Sequence, residues 1–246
     1  MMLQPVQGLS AAAMLEAWEQ GAGRHPIDRA LLLLQHACPE QPFEALCDWT
    51  VGQRDAHLLE LRRHTIGDRI EAYAECPACR NGLEFDLSCT MLLASGGTSD
   101  ATWTTVQLDD GFWEWRRPNS RDLALAVAAA DPEEARRIML SRCVRGEIGG
   151  VDATVWAETN GTALAGRMGE LDPLAEVLID LRCERCGQQW QALFDIVTFF
   201  WTELQARSRR LLQEVDLLAR NYGWTEDAVL RLSEQRRRLY VDMALS

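Results

Sequence analysis

The sequence lacks lysine entirely, so each of its 25 basic residues is an arginine, an absence to which we attach no function. It also lacks any run of about 18 apolar residues, which excludes a transmembrane helix of ordinary length. The opening segment, MMLQPVQGLS, contains neither a basic stretch nor an apolar stretch, so no secretory signal is expected. Together these absences predict a cytoplasmic protein that has no membrane partner.

Positive charge is scarce relative to negative charge. The chain carries 37 acidic and 25 basic residues, which gives a formal net charge of −12. Such a chain repels nucleic acid unless a local basic patch overrides the average charge, and no patch of convincing size is present. Hydrophobic residues make up 47% of the sequence and charged residues 25%, a composition typical of a folded globular protein.

Motifs that accompany the common enzyme chemistries are also missing. The sequence contains no nucleophile elbow, no phosphate-binding loop and no dinucleotide-binding fingerprint. Of its histidines, His57 and His64 lie on one face of a predicted helix. That spacing could serve catalysis or metal binding with an outside partner, but it is more typical of a solvated or packed face. We therefore expect no catalytic residue, no enzyme activity and no small-molecule substrate.

The sequence does contain eight cysteines, and four of them form two C-x-x-C pairs. The pairs are Cys76 with Cys79 and Cys183 with Cys186. Each C-x-x-C turn places two sulfurs on one side of a tight loop, and zinc favours four thiolates in a tetrahedron. Two such pairs in a reducing compartment predict one zinc ion bound by all four cysteines. Because four thiolates fill the coordination shell, the zinc would be structural.

The residues around the two pairs match each other. A strand-like segment precedes each pair, at 69–74 and 176–181, and a glycine followed by an alternating apolar segment comes after it. The glycines are Gly82 and Gly187. This pattern predicts two halves of one zinc ribbon with approximate internal symmetry.

The separation of the two pairs leaves an alternative open. Cys183 lies 104 positions after Cys79, whereas a compact ribbon separates its pairs by about 15–20 residues. The alternative is two separate redox dithiols, although neither pair opens a helix after a βαβ-type strand. Cys89 is a further candidate ligand because it follows the first pair closely. The remaining cysteines, Cys38, Cys47 and Cys143, lie in helical apolar patterns, where a thiol behaves as a small hydrophobe.

The predicted fold class is α+β, a split zinc ribbon with a helical insert, flanked by N- and C-terminal helices. Ser10 and the capping-box pair Thr50 and Gln53 mark helix starts, and Pro39 and Pro42 predict a break between helices. The predicted regions are 1–66 (N-terminal helices), 67–118 (first zinc knuckle and a β-hairpin), 119–175 (helical insert), 176–196 (second zinc knuckle) and 197–246 (C-terminal helices).

Aromatic and basic side chains supply candidate contact surfaces. Trp113 and Trp115 alternate on one strand of the predicted hairpin with Trp103 opposite, a pattern more typical of core packing than of a contact surface. An apolar stripe runs along the predicted helix 196–221 and belongs either to the core or to a docking site for a partner helix. The candidate partner-binding residues of the C-terminal region are Trp224, Arg236, Arg237, Arg238 and Tyr240.

Three segments, taken in order along the chain, carry a family resemblance. The first contains Trp18, Gly21, Pro26 and the segment 28–34, and the second contains both C-x-x-C pairs. The third runs from Tyr222-Gly223-Trp224-Thr225-Glu226 to 232–240. Together they resemble the base plate hub assembly protein of contractile-tailed phages and related bacterial contractile injection systems. The resemblance implies a cytoplasmic assembly factor or chaperone that binds base plate, hub or spike components, and it implies no catalytic residue.

Two other functions compete with this one. A zinc-ribbon regulator could bind nucleic acid through the ribbon and the arginines at 236–238, although it would need a concentrated basic face. An enzyme in which zinc only shapes the fold would need a cleft that contains His57 or His64 beside acidic residues.

Overall fold

A computed structural model describes residues 6–96, 103–108, 111–148, 150–155, 157 and 169–246. The fold is α+β, with small antiparallel sheets set among helices. The helices are α1 Ala11–Gly21, α2 Pro26–Ala37, α3 Phe43–Asp48, α4 Val51–Thr65, α5 Cys89–Ala94, α6 Ser120–Val127, α7 Pro132–Cys143, α8 Ile196–Tyr222, α9 Glu226–Leu230 and α10 Glu234–Leu245. The strands are β1 Arg69–Glu75, β2 Gly82–Ser88, β3 Thr104–Leu108, β4 Gly111–Trp115, β5 Val144–Ile148, β6 Val151–Asp152, β7 Val177–Arg182 and β8 Gln189–Phe194. In this described part of the chain, none of the helices has the length and apolarity to cross a bilayer.

Side-chain caps begin the N-terminal helices at the predicted positions. The Ser10 hydroxyl caps α1, and Thr50 and Gln53 form the predicted capping box at the start of α4. The short helix α3 follows the break that Pro39 and Pro42 predict and contains Cys47, which the sequence places in a helical pattern. Pro42 occupies the N-cap position of α3, where the missing amide hydrogen of proline does no harm, so the segment after the break is helical again.

The main core lies where α2, α4 and α8 meet. Leu33 and Leu34 of α2, together with Leu58 of α4, are fully buried against Phe200 and Leu204 of α8. The N-terminal half of the α8 stripe is therefore part of the core, as one of the two interpretations of the sequence predicted. The C-terminal half of the stripe packs on α9 and α10 in a smaller apolar cluster.

Two antiparallel hairpins, β1–β2 and β7–β8, project from this core. Their registers run from Arg69 opposite Ser88 to Glu75 opposite Gly82, and from Val177 opposite Phe194 to Arg182 opposite Gln189. The predicted second knuckle, 176–196, extends two residues beyond the end of its last strand. Asp195 instead caps α8 by accepting a hydrogen bond from the Val197 amide, so the strand ends at Phe194.

The predicted helical insert at 119–175 contains α6 and α7 but is not wholly helical. After α7 the chain forms β5 and β6, and β5 pairs with β4 to extend the predicted hairpin into a four-stranded antiparallel sheet, β3-β4-β5-β6. Gly146 of β5 has φ of 126°, and a Cβ there would lie 2.6 Å from the Phe112 carbonyl oxygen. This glycine interrupts the alternation of apolar and polar side chains by which the sequence would have predicted a strand at 144–148. The sequence Asp109-Asp110-Gly111 predicts the turn of this hairpin, and its two aspartates lie outside the described residues.

The four-stranded sheet has its own apolar cluster. Trp113 and Trp115 are buried there with Leu140 of α7 and Val144 of β5, so the core-packing interpretation of these tryptophans is confirmed. Trp103 instead stacks under Arg145, whose guanidinium carbon lies 4.0 Å from the ring centroid.

A buried arginine connects the N-terminal helices to the first hairpin. Arg62 of α4 donates two hydrogen bonds to the Glu203 carboxylate of α8, at 2.9 and 2.7 Å. The same guanidinium donates to the carbonyl oxygens of Gly67 and Arg69, at 2.6 and 2.8 Å. The side chain is 2% exposed. Arg62 therefore connects the start of β1, the strand that leads to the first C-x-x-C turn, to α4 and α8.

Candidate metal centre

The two C-x-x-C pairs lie at the tips of the two hairpins and face each other. Cys76 and Cys79 connect β1 to β2, and Cys183 and Cys186 connect β7 to β8. The four Sγ atoms all lie within 4.8 Å of one another, and these residues form a group that can hold a metal ion. The structure therefore brings together all four predicted ligands, as one cluster rather than as two separate dithiols.

The distances between sulfurs match tetrahedral coordination. The Sγ atoms of Cys76 and Cys186 are 3.6 Å apart, and those of Cys79 and Cys183 are 3.7 Å apart. Zinc–thiolate bonds of about 2.3 Å in a regular tetrahedron place neighbouring sulfurs about 3.8 Å apart. All four cysteines are free thiols, and the sulfur distances between the pairs are far longer than a disulfide bond.

Corresponding backbone hydrogen bonds shape the two turns. In the first turn the Cys76 amide donates to the Asn81 carbonyl oxygen and the Arg80 amide donates to the Cys76 carbonyl oxygen, both at 2.9 Å. In the second turn the Cys183 amide donates to Gln188 at 2.8 Å, and the Gly187 amide donates to Cys183 at 2.9 Å. The predicted internal symmetry is thus present at the level of these hydrogen bonds.

The symmetry corrects the predicted equivalence of Gly82 and Gly187. Arg80 has φ of 59° and Gly187 has φ of 73°, and each is the fourth residue after the first cysteine of its pair. Among the described residues, Arg80 is the only non-glycine with positive φ. Gly82 instead begins β2, where a Cβ would lie 2.7 Å from the ring of Tyr73. The left-handed position in the first turn was missed because an arginine occupies it.

Burial and hydrogen bonding differ among the four thiols. Cys76 and Cys183 are buried, Cys79 is half-buried and Cys186 is exposed. Desolvation opposes ionisation of Cys76, but hydrogen bonds from the amides of Cys79 and Ala78 lower its pKa to about 7. For Cys186, an amide hydrogen bond from Gln188 is outweighed by desolvation and by the neighbouring thiols, which raise its pKa to about 12.

These pKa values fit a cluster that needs a cation. The first thiolate forms readily at Cys76, whereas each further negative charge within 4.8 Å is opposed by those already present. A bound divalent metal removes that opposition and drives the remaining thiols to ionise. Four sulfur ligands leave no open coordination position, so such a metal could not activate a water molecule.

The other cysteines lie outside this cluster. Cys89, the alternative ligand, is buried at the start of α5, where its Sγ lies 3.7 Å from Nη1 of Arg62. It is therefore not a member of the four-cysteine group. Cys38, Cys47 and Cys143 are buried, and burial raises the pKa of each of these thiols.

The two histidines considered from the sequence do not form a site together. His57 is fully buried, stacks on Trp49 with ring centroids 4.1 Å apart, and its Nδ1 lies 2.7 Å from the Gln53 carbonyl oxygen. Burial lowers the pKa of His57. His64 is exposed near the end of α4 and lies 3.4 Å from the Glu60 carboxylate. His57 is therefore a packed residue and His64 a solvated one, which agrees with the interpretation that the pair is not a catalytic or metal site.

The C-terminal candidates are only partly accessible to a partner. Arg237 is 8% exposed and its Nε donates to Glu214 at 2.6 Å, so it is an internal residue. Arg236 is exposed, and Arg238 pairs with Glu234. Trp224 and Tyr240 pack against each other, with ring centroids 4.8 Å apart, and Tyr222 completes this aromatic cluster.

The centre described above is a cluster of four cysteines from two hairpins, and its donor set fits one metal ion. Comparison of the chain with models of known protein families, with characterised proteins and with solved structures finds no match.

Proposed function

We propose that this chain is a non-enzymatic, protein-binding factor whose fold is stabilised by one structural zinc ion. Its proposed role is to assist assembly of the base plate or hub of a contractile tail or injection system in the cytoplasm. The observation that carries the proposal is the single four-cysteine cluster, built from pairs 104 positions apart at the tips of two hairpins.

Zinc is the metal that this donor set fits best. Four thiolates in a tetrahedral arrangement suit zinc or an iron–sulfur centre, and the sulfur distances match those around a single ion. With zinc bound, the two hairpins form a split zinc ribbon whose halves are separated by the insert. Because the metal would connect Cys79 to Cys183, it would hold the first hairpin, the insert and α8 in one body.

The protein-binding role is supported by the order of the three segments that resemble the hub assembly protein. The first lies in α1 and α2, the second at the metal centre, and the third in α9 and α10. Both α1 and α10 pack on α8, which follows directly after β8. Base plate, hub or spike components are the proposed partners.

Co-expression tests this role directly. The chain would be expressed with the base plate, hub and spike proteins encoded near its gene, and the complexes identified by native mass spectrometry. The proposal predicts a stoichiometric complex with at least one of them. If none of these proteins forms a complex with the zinc-loaded chain, the assembly role is wrong.

The alternative is a zinc-ribbon regulator that binds nucleic acid, and the placement of its arginines gives it no support. Of the three consecutive arginines on α10, Arg237 is bonded to Glu214 inside the protein and Arg238 is paired with Glu234. A nucleic-acid interface needs unpaired cations gathered on one face.

A further inference from the structure

A groove of about 700 Å³ lies beside the C-terminal helices, away from the cysteines. Its walls are the beginning of α1, one face of α8 and the junction between α9 and α10. Its volume lies within the range of about 300–1,000 Å³ that is usual for sites that bind ligands. A second cavity, beside Ile66 and Leu239, shares Arg207 with the groove.

The charge of the groove is opposite to the charge of the whole chain. Five arginines and two glutamates line it, in a protein whose net charge is −12. Both glutamates are already bound: Glu214 accepts from Arg237 and from Arg210, and Glu234 pairs with Arg238. Because the Glu214 carboxylate pairs with two guanidinium groups, the five arginines outnumber the carboxylates and the groove has an excess of positive charge.

One arginine in the groove makes no ion pair with the described residues. Arg207 is half-buried on α8, and within the part of the chain that the structure describes it makes neither an ion pair nor a side-chain hydrogen bond. A partly desolvated guanidinium gains more from a carboxylate than an exposed one does, because water screens it less. Arg207 lines both cavities, so its guanidinium is accessible to an anionic group bound in either one.

Apolar side chains lie between these charges. Leu9, Leu230 and Leu232 are half-buried and line the groove, and the buried side chains of Met14 and Leu211 also border it. A ligand that fills this surface must therefore carry both acidic and apolar groups.

We propose that this groove binds an acidic, leucine-containing peptide segment of a partner protein. The inference rests on the protein-binding function proposed above and specifies the chemistry of the partner. Nucleic acid fits less well, because it has no aliphatic side chains to cover the leucines of the lining, and its line of phosphates would extend past the groove into the negative field of the chain. A small inorganic anion would leave the apolar lining uncovered.

The test measures fluorescence anisotropy with a labelled peptide of alternating glutamate and leucine. Peptides in which glutamine or lysine replaces glutamate serve as probes of charge. The acidic peptide should bind most tightly, and its Kd should rise with added salt. Arg207→Gln should weaken binding by about 10-fold or more, since it removes a charge-assisted contact.

Arg209→Gln is the matched control on the same helix. Arg209 is exposed, does not line the groove and loses the same charge in this variant. Its Kd should stay within about twofold of wild type, since only the long-range field changes. Circular dichroism melts of both variants confirm that they fold as the wild type does.

Any one of four peptide-binding results would overturn the inference. They are absence of binding to the acidic peptide, equal binding of the lysine peptide, an unchanged Kd in Arg207→Gln, and displacement of the peptide by an oligonucleotide at lower concentration. Self-association of the chain that Arg207→Gln abolishes, without peptide binding, would identify a second copy as the occupant and would also overturn it.

Failure here can be told apart from failure of the proposed function. The zinc content of each sample and its complexes with hub components are measured independently of the peptide. A zinc-loaded chain that binds a hub component but ignores the acidic peptide overturns the groove inference alone.

Discussion

At the residue scale, the two C-x-x-C turns need the same backbone conformation but achieve it with different residues. Arg80 adopts positive φ where the second turn has Gly187. A left-handed conformation costs about 1–2 kcal/mol for a residue with a Cβ and almost nothing for glycine. The first turn therefore carries strain that its hydrogen bonds, and a metal bound by Cys76 and Cys79, would offset.

Arg80→Gly should raise the free energy of unfolding by about 0.5–1 kcal/mol, because relief of the left-handed strain exceeds the extra entropy of glycine in the unfolded chain. Gly187→Ala should lower it by about 1–2 kcal/mol for the converse reason. Urea denaturation at fixed zinc concentration measures both. Arg80→Ala is the control, since it removes the weak ion pair with Glu75 but keeps the Cβ. Equal free energies of unfolding for Arg80→Ala and Arg80→Gly would show that the left-handed backbone at this position carries no strain.

A buried carboxyl gives a second prediction at this scale. Burial raises the pKa of Asp55 from 3.8 to about 6, although Arg54 donates to it at 2.7 Å. Because the folded state holds this proton more tightly than the unfolded chain, the stability from Asp55 is greatest below pH 4 and is lost as pH rises through 6. The shift corresponds to about 3 kcal/mol at most.

The measurement is chemical denaturation from pH 5 to pH 7.5. Wild type should lose more stability over this interval than Asp55→Asn, by about 1–2 kcal/mol, whatever constant offset the loss of the Arg54 pair introduces. Asp242→Asn, at an exposed position, should keep the slope of wild type. If the free energies of unfolding of wild type and Asp55→Asn change in parallel with pH, the pKa of Asp55 is not raised.

At the scale of elements, the arrangement of α4, α8 and β1 depends on Arg62. Its guanidinium bonds to Glu203 and to two backbone carbonyl oxygens, which no shorter or single-pronged cation could reach together. These three elements also surround the main core.

Arg62→Met should therefore lower the free energy of unfolding by about 3–5 kcal/mol, because it leaves Glu203 and two carbonyl oxygens without their partner. Arg63→Met is the matched control. Arg63 is the next residue on α4 and pairs with Glu60 at the surface. Its loss should lower the free energy of unfolding by less than about 1 kcal/mol. Urea denaturation measures both, and similar losses would show that the buried network contributes little.

The elements also show which features the sequence could predict. Caps and turn residues act locally, so the starts of α1 and α4 and the end of α8 at Gly223 were predictable. The four cysteines were predictable because ligand spacing reflects zinc chemistry. The strand β5 was not, because its partner β4 lies across two helices and Gly146 interrupts its pattern.

The surface of the C-terminal helices was the least predictable part. Arg236, Arg237 and Arg238 are equivalent in sequence, yet Arg237 alone is bonded to Glu214 inside the protein. Which of three consecutive arginines is buried depends on the docking of α10 on α8. Arg207, which makes no ion pair with the described residues, carries no sequence signal that sets it apart from the other arginines.

At the scale of the whole molecule, the four-cysteine cluster lies where the two ends of a long loop meet. The chain leaves the first hairpin at β2, forms the four-stranded sheet with its helices, and returns to the second hairpin at β7. A metal shared by Cys79 and Cys183 would hold the two ends of this excursion together. Zinc sites of this kind contribute about 10–16 kcal/mol in small peptides, which is comparable to the stability of a domain.

Native mass spectrometry of the purified chain, with and without chelator, tests the shared metal most directly, on wild type, Cys183→Ala and the control Cys47→Ala. Cys47 is also a buried free thiol but lies in α3, outside the cluster. We expect one zinc per chain in wild type and Cys47→Ala, and loss of zinc together with folding in Cys183→Ala. Absence of zinc from wild type, or retention of a tightly bound zinc by Cys183→Ala, would contradict a metal shared by the two hairpins.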